Sequence, residues 1–365
     1  MRLVYSNTRI CKCQIVFDTF FNICYTFFVI FTEIGDTMKK TLALSLLISV
    51  LLCGCAVNAP VEREIFAMDT VMMLRVWGNE SDAAAAVAEI NRLDALLSVT
   101  NENSEIFALN RDGEAELSME TYDLLVKAVA VSRRTEGAFD PTVYPLVEAW
   151  GFTHDAQAVP AQDEINEALA LVGYEQLENH LDVTCLSIDS MLDFGGIAKG
   201  YTARKVVDLL QERGVDTAFL NLGGNVQTLG SKPDGEAWTV GIADPENPSQ
   251  AIGCLRFTGS LALVTSGGYQ RYFEENGVRY HHILDPKTGY PAQSGLASVT
   301  VLAKDGALAD GLSTALFVMG MEEASALWRA SDDFEVVFIT QDGIIFATEG
   351  AASLLTDCEF TVIKR

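Results

Sequence analysis

The segment ADGLSTALFVMG, Ala309 to Gly320, carries a carboxylate and two hydroxyls at a spacing that a helix would gather. Asp310 and Thr314 stand at i and i+4 with Ser313 at i+3, so a helix puts all three side by side. A carboxylate and hydroxyls are hard oxygen donors. They suit magnesium, which keeps its other positions for water, a carbonyl or a substrate phosphate. A second segment, DFGGIAKGY from Asp193 to Tyr201, has a glycine pair that lets backbone approach a ligand closely. The helix expected to begin near Gly200 offers N–H groups to a phosphate, and Lys199 adds a positive charge. The third is RYHHILDPKTGYP, where His281 and His282 precede a turn. Adjacent strand residues face opposite ways, so one ring packs while the other looks into a site or out to water. A neutral imidazole, with a pKa ordinarily about 6.5, can take a proton from a hydroxyl. NLGGNV and TSGGY add glycine pairs at 223–224 and 267–268. Each segment alone also has an ordinary structural reading, Asp310 as a helix cap or Lys199 as a surface lysine on a turn. Their company points to a site for a nucleotide diphosphate.

These segments need elements to hold them. EIFAMDTVMMLRVWG alternates apolar and polar residues as a strand does. SDAAAAVAEINRLDALLS and SMETYDLLVKAVAVSRRTEG read as helices, the second capped by Ser118 and closed at Gly137. AFDPTVYPLVEAWGF, with two prolines, is no long regular element. A further helix ends near Gly173, and CLSIDSMLDFGGIAKGYTARKVVDLLQERG passes from strand through glycines into helix. Five strand-like segments follow, then a helix from about residue 307 and a final hairpin turning at Asp342-Gly343. Strands mostly follow strands, which predicts an α+β fold with antiparallel-rich sheets packed with helices.

The 365 residues are 49% hydrophobic, enough for a large core, with a formal charge of −25 that excludes nucleic acid as partner. Residues 38–55 have the basic start, apolar run and small-residue end of a secretory signal. Residues 1–37 are expected to be an upstream segment outside the native protein, since Met38 begins a complete signal. The end of that signal, Leu52-Cys53-Gly54-Cys55, resembles a lipoprotein lipobox, which implies lipidation at Cys55 and a membrane-tethered body on the extracytoplasmic face. A tether is expected over 56–65, followed by the main domain, 66–350, and a C-terminal extension, 351–365. Five of the eight cysteines fall in the leader; Cys185, Cys254 and Cys358 are too scattered for a disulfide framework or zinc site and are expected to pack as small hydrophobes.

The blocks AMDT, NSEIFALN, GAFDPTVYPL, DFGGIAKGY, NLGGNV, TSGGYQRYF, HILDPKTGYP and ADGLSTALFVMG, in that order, resemble the FAD:protein FMN transferases, the ApbE family. The resemblance runs from about Phe66 to Gly350 and implies an ApbE-like flavin transferase fold. It also implies a magnesium-dependent reaction: FAD is the substrate, FMN passes to a Ser or Thr hydroxyl of another protein, and AMP leaves. The implied acceptors are FMN-carrying subunits of membrane redox complexes, flavinylated within Asp-Gly-x-Ser/Thr-Gly-Ala-Ser/Thr. DGLSTAL lacks the second glycine and is not read as a self-target. The implied metal ligands are Asp310, Thr314 and a backbone carbonyl at Gly196 or Ala198, with Ser313 assisting. Implied FAD contacts are Met68, Ala138, Phe139, Asp140, Asp193, Lys199 and Leu284 or its neighbour Ile283. His282 is implied to help activate the acceptor hydroxyl. Two positions depart from the family pattern. Val99 and Thr100 stand where an aromatic is frequent, so stacking is expected from another ring such as Tyr144, and Asp69 replaces a glycine. An FAD pyrophosphatase using water, and a flavin-binding lipoprotein without catalysis, are the alternatives.

Overall fold

The computed structural model describes residues 59–153, 157–178, 185–187 and 189–365. The leader with Cys55, residues 56–58, His154 and His180 lie outside them. The chain divides into a unit ending at Ala59 and a compact unit Pro60–Arg365, described here.

The first block is not one strand but a hairpin. β1 (Val61–Ala67) and β2 (Thr70–Val76) pair antiparallel, Phe66 against Val71 and Ala67 against Thr70. Met68 and Asp69 make the two-residue loop, both at positive φ (48° and 57°), as this hairpin geometry demands. No glycine, proline or asparagine marks the turn, so the sequence hides it. α1 (Glu80–Leu97) starts at Asn79, whose side chain accepts from Ser81 N and Asp82 N while Asp82 reaches back to the cap. Its buried Ala83, Ala86, Ile90, Leu93 and Leu97 form one face. α2 (Glu105–Asp112), β3 (Glu114–Glu116) and α3 (Met119–Arg134) follow, the last capped by Ser118 as expected. Then come the short α4 (Tyr144–Ala149), α5 (Gln162–Leu169), α6 (Glu175–Glu178), β4 (Cys185–Ser187) and the long α7 (Ala198–Glu212).

Eight strands come next: β5 (Ala218–Leu222), β6 (Asn225–Leu229), β7 (Trp238–Ala243), β8 (Ala251–Phe257), β9 (Ala262–Gly267), β10 (Tyr272–Glu275), β11 (Val278–His281) and β12 (Leu296–Ala303). α8 (Gly306–Arg329) is interrupted at Gly320, whose φ of 78° and ψ of 170° are open to little but glycine. β13 (Phe334–Thr340) and β14 (Ile345–Thr348) form the final hairpin. α9 (Glu349–Ala352), β15 (Leu355–Thr356) and β16 (Thr361–Ile363) end the chain.

Nine strands make one sheet in the order β1-β2-β5-β6-β9-β12-β13-β14-β16, antiparallel throughout except β14 beside β16. Helices α1, α7 and α8 cover one face. A small sheet, β15-β8-β7, covers the other through Trp238, Leu255 and Phe257 against Val226, Leu263, Leu302, Val337 and Ile345. Cys254 and Cys358 are free thiols in this region. Residues 355–363 therefore add a strand to each sheet. Among the described residues no helix is long and apolar enough to cross a membrane.

Candidate active site

The glycines at 200 and 306 decide how α7 meets α8. A Cβ at Gly200 would lie 2.0 Å from the Gly306 carbonyl oxygen, and one at Gly306 2.5 Å from that of Gly200, so the two helix starts touch backbone to backbone. This contact lets the Gly200 N–H donate to Asp310 Oδ2 at 2.8 Å. The first turn of α7, expected to face a phosphate, holds the carboxylate instead. Gly200 N thus does not close a turn on the Gly196 carbonyl, to which no backbone N–H donates among the described residues. Asp310 is not a cap, because Asp305 occupies that position. Burial raises the Asp310 pKa above the ordinary carboxylate range, opposed by the charge of Lys199 and by the Gly200 N–H.

Asp310 lies on a cavity of about 800 Å3, within the size range of small-molecule and cofactor sites. The hairpin tip from Phe66 to Thr70 forms one lip. Met68, Ala138, Phe139, Asp140, Asp193, Gly196, Ala198, Lys199, His282, Ile283, Leu284, Asp310 and Thr314 all line it, so the sequence blocks converge as expected. Ser313 does not. It is fully buried one layer behind, its hydroxyl donating to the Asp310 carbonyl at 2.8 Å and sharing a 2.7 Å bond with Ser266. Ser266 in turn stands 3.3 Å from Thr314 Oγ1.

Asp310, Thr314 and Gly196 line the cavity together and bring to it a carboxylate, a hydroxyl and a backbone carbonyl. A Cβ on Gly196 would come within 3.4 Å of Thr314 Oγ1 and 3.1 Å of the Phe139 ring, so only glycine brings this backbone so near. Among the described residues no three His, Cys, Asp or Glu side chains gather as a metal cluster. One carboxylate with hydroxyl and carbonyl oxygens fits magnesium and not zinc. Of the two carbonyls implied by the resemblance, Gly196 is the free one, since Ala198 begins the helix.

Lys199 donates to the Gly195 carbonyl at 3.0 Å, and Gly195 N–H donates to Asp193 Oδ1 at 2.7 Å, which folds the glycine turn on itself. Burial raises the Asp193 pKa, with the Gly195 N–H, Lys199 and Arg271 opposing. Asp140 has no oxygen to spare. It accepts from Thr142 N (2.8 Å), Thr142 Oγ1 (2.6 Å) and Tyr174 N (2.9 Å), so it acts by shaping the loop that carries Ala138 and Phe139.

His282 lies just past the end of β11. Its N–H and its Nδ1 both reach the Arg271 carbonyl at 3.1 Å. A carbonyl only accepts, so Nδ1 carries the proton and Nε2 keeps its lone pair. Burial, then the Arg271, His281 and Lys199 charges, pushes the His282 pKa down to about 3. His281 turns the other way, with Nε2 on the Ala292 carbonyl at 3.0 Å and its ring edge-on to Phe317. Tyr144 is not a stacking ring: it is buried in the first turn of α4 and does not reach the cavity. The phenylalanines and tyrosine there are Phe66, Phe139, Phe152, Phe194 and Tyr269, and the Tyr269 ring lies over Gly267, where a Cβ would meet it at 2.5 Å.

The sequence profile of the ApbE family matches residues 68–338. The chain belongs to the ApbE family. It is 36% identical over 285 residues to an FAD:protein FMN transferase of Klebsiella pneumoniae strain 342, covering 75% of this chain and 87% of that one. A second FAD:protein FMN transferase, from Treponema pallidum strain Nichols, is 34% identical over 331 residues, covering 82% and 91%. The crystal structure of the ApbE protein from Thermotoga maritima superposes with a TM-score of 0.74 at 34% identity, over 81% of this chain and 99% of that one. Flavin transferase ApbE from Vibrio cholerae gives 0.69 at 29%, over 80% and 98%.

Two residues in this ApbE chain escaped the sequence reading. Arg271 lines the cavity and adds a second cation opposite Lys199, with one guanidinium nitrogen on the Phe152 carbonyl at 2.8 Å. Asn225, 1% exposed, also lines it, and its amide favours the charged form of the Asp310 carboxylate. Nothing in the spacing of NLGGNV singles out that asparagine.

Proposed function

We propose that this chain is an FAD:protein FMN transferase that joins FMN from FAD through a phosphoester to a Ser or Thr hydroxyl of an acceptor protein, releasing AMP. The observation that carries it is the meeting of Asp310, Thr314 and Lys199 with the free Nε2 of His282 on one cavity large enough for a dinucleotide. The relatives named FAD:protein FMN transferase support the reaction class. Magnesium held by Asp310, Thr314 and the Gly196 carbonyl would neutralise negative charge on the non-bridging phosphate oxygens.

The chain's own residues do the rest. Lys199 and Arg271 attract the diphosphate into an otherwise acidic protein, and the turn at 195–196 lets it come close to backbone. The hydroxyl oxygen attacks the FMN phosphorus, the bond to the bridging oxygen breaks, and AMP leaves with that oxygen and its electron pair. His282 Nε2 takes the hydroxyl proton. Its depressed pKa in the empty site makes it a weak base, and the bound diphosphate, being an anion nearby, raises that pKa toward the working range.

Residues 56–365 incubated with FAD, magnesium and a purified acceptor domain should add FMN to the acceptor, read by intact mass. Asp310→Asn should lower the rate by about 100-fold or more. Conversion of FAD to free FMN and AMP alone would overturn transfer in favour of hydrolysis. The lipobox at 52–55 supports a lipid anchor at Cys55 on the extracytoplasmic face, with subunits of membrane redox complexes as acceptors. Palmitate label should enter the parent chain and not Cys55→Ser.

A further inference from the structure

The lip of the cavity continues into a bare sheet face. The small β15-β8-β7 sheet covers this side of the large sheet from β5 to β14 and leaves β1 and β2 open. Phe66 (70% exposed), Val71 (58%) and Met73 (39%) stand there together. Phe66 and Val71 are direct cross-strand partners, and Met73 is two positions on, on the same face. Phe66 and Thr70 also line the cavity, so the apolar cluster runs up to its mouth. Exposed apolar clusters of this kind mark interaction sites.

We propose that Phe66, Val71 and Met73 form the docking surface for the acceptor protein, seating an apolar segment beside its acceptor hydroxyl; this rests on the transferase reading. A protein substrate must bring its hydroxyl to the cavity mouth, and this face adjoins the mouth. Glu62 pairs with Arg75, and Arg63 with Glu80. Glu64, directly across from Met73, has no cation among the described residues. The acceptor segment is therefore apolar at its centre with a Lys or Arg at its edge. An enzyme must release its product, so a small contact below about 1,200 Å2 suffices.

A lipid surface fits less well. Glu62 and Glu64 lie on the same outward face as Phe66 and would repel anionic headgroups.

The test uses Val71→Ser/Met73→Ser and Glu64→Lys, which leave the cavity lining intact. Each is assayed with a folded acceptor domain carrying Asp-Gly-x-Ser/Thr-Gly-Ala-Ser/Thr and with the same segment as a short peptide. FAD affinity, read by flavin fluorescence, should match the parent and certifies folding. KM for the domain should rise about tenfold in the double variant with kcat kept, and rise in Glu64→Lys with a weaker dependence on salt. Parent-like KM values in both variants overturn the docking surface while leaving transfer standing. Failure of the parent itself to flavinylate either substrate overturns the transferase reading and the surface with it. Loss of binding to anionic vesicles with unchanged KM would overturn the proposal in favour of a membrane contact.

Discussion

At the scale of single residues, protonation in this site is set by burial before it is set by partners. His282 titrates at about 3 in the free enzyme because desolvation and neighbouring cations disfavour the imidazolium. The neutral imidazole, the proposed base, is therefore the form present in the empty enzyme at ordinary pH. Binding an anionic diphosphate stabilises the imidazolium, so the pKa in the substrate complex is higher. Because kcat/KM reports the free enzyme and kcat the complex, the acid limb of kcat should lie at higher pH than that of kcat/KM. In His282→Gln, kcat should fall by about 100-fold and the separate kcat limb should vanish; both limbs persisting would remove the proton-acceptor role. The sequence shows His282 through its motif, but not its tautomer or its depressed pKa. The tautomer depends on the Arg271 carbonyl, eleven positions away and across a hairpin, and the depressed pKa on burial, which that hydrogen bond opposes. Asn225 was invisible for a related reason, since the Asp310 carboxylate that its amide favours lies far along the chain, on a different element.

At the scale of elements, the local periods were readable and the crossings were not. Asp310 and Thr314 fall on one helix face because their spacing is helical, and the Ser118 cap was equally plain. The β1–β2 turn lacked turn residues and passed for continuous strand. The contact between α7 and α8 has no local signature except two glycines, yet it places the Asp310 carboxylate, the proposed magnesium ligand. Gly200→Ala would drive a methyl group against the Gly306 carbonyl, where backbone cannot move aside as a flexible side chain would. The expected cost is about 1–3 kcal/mol in stability, with loss of the magnesium-induced rise in Tm. Gly306→Ala should behave alike. A Gly200→Ala protein that kept its magnesium response would show that the close approach is dispensable.

At the scale of the whole molecule, the α+β class followed from strands succeeding strands, while strand order did not. β6 lies beside β9 only because β7 and β8 leave the large sheet to join the small one. The last residues belong to this architecture, since β15 extends the small sheet and β16 lies on β14. Ending the chain at Ser353 should uncover the β14 edge, lower Tm and promote association detectable by light scattering, because an open strand edge is a template for pairing. A monomeric, equally stable truncation would make the tail an ornament. The Gly200–Asp310 bond spans 110 positions, which orders events while the chain is being made. At about 5–20 residues per second, α7 and its lysine exist for roughly 5–20 s before Asp310 is added. A nascent chain at that stage has the cationic turn but not yet Asp310, the carboxylate proposed to hold the divalent ion. Cleavage of FAD waits for the domain to close, and an unfinished protein does not squander the cofactor.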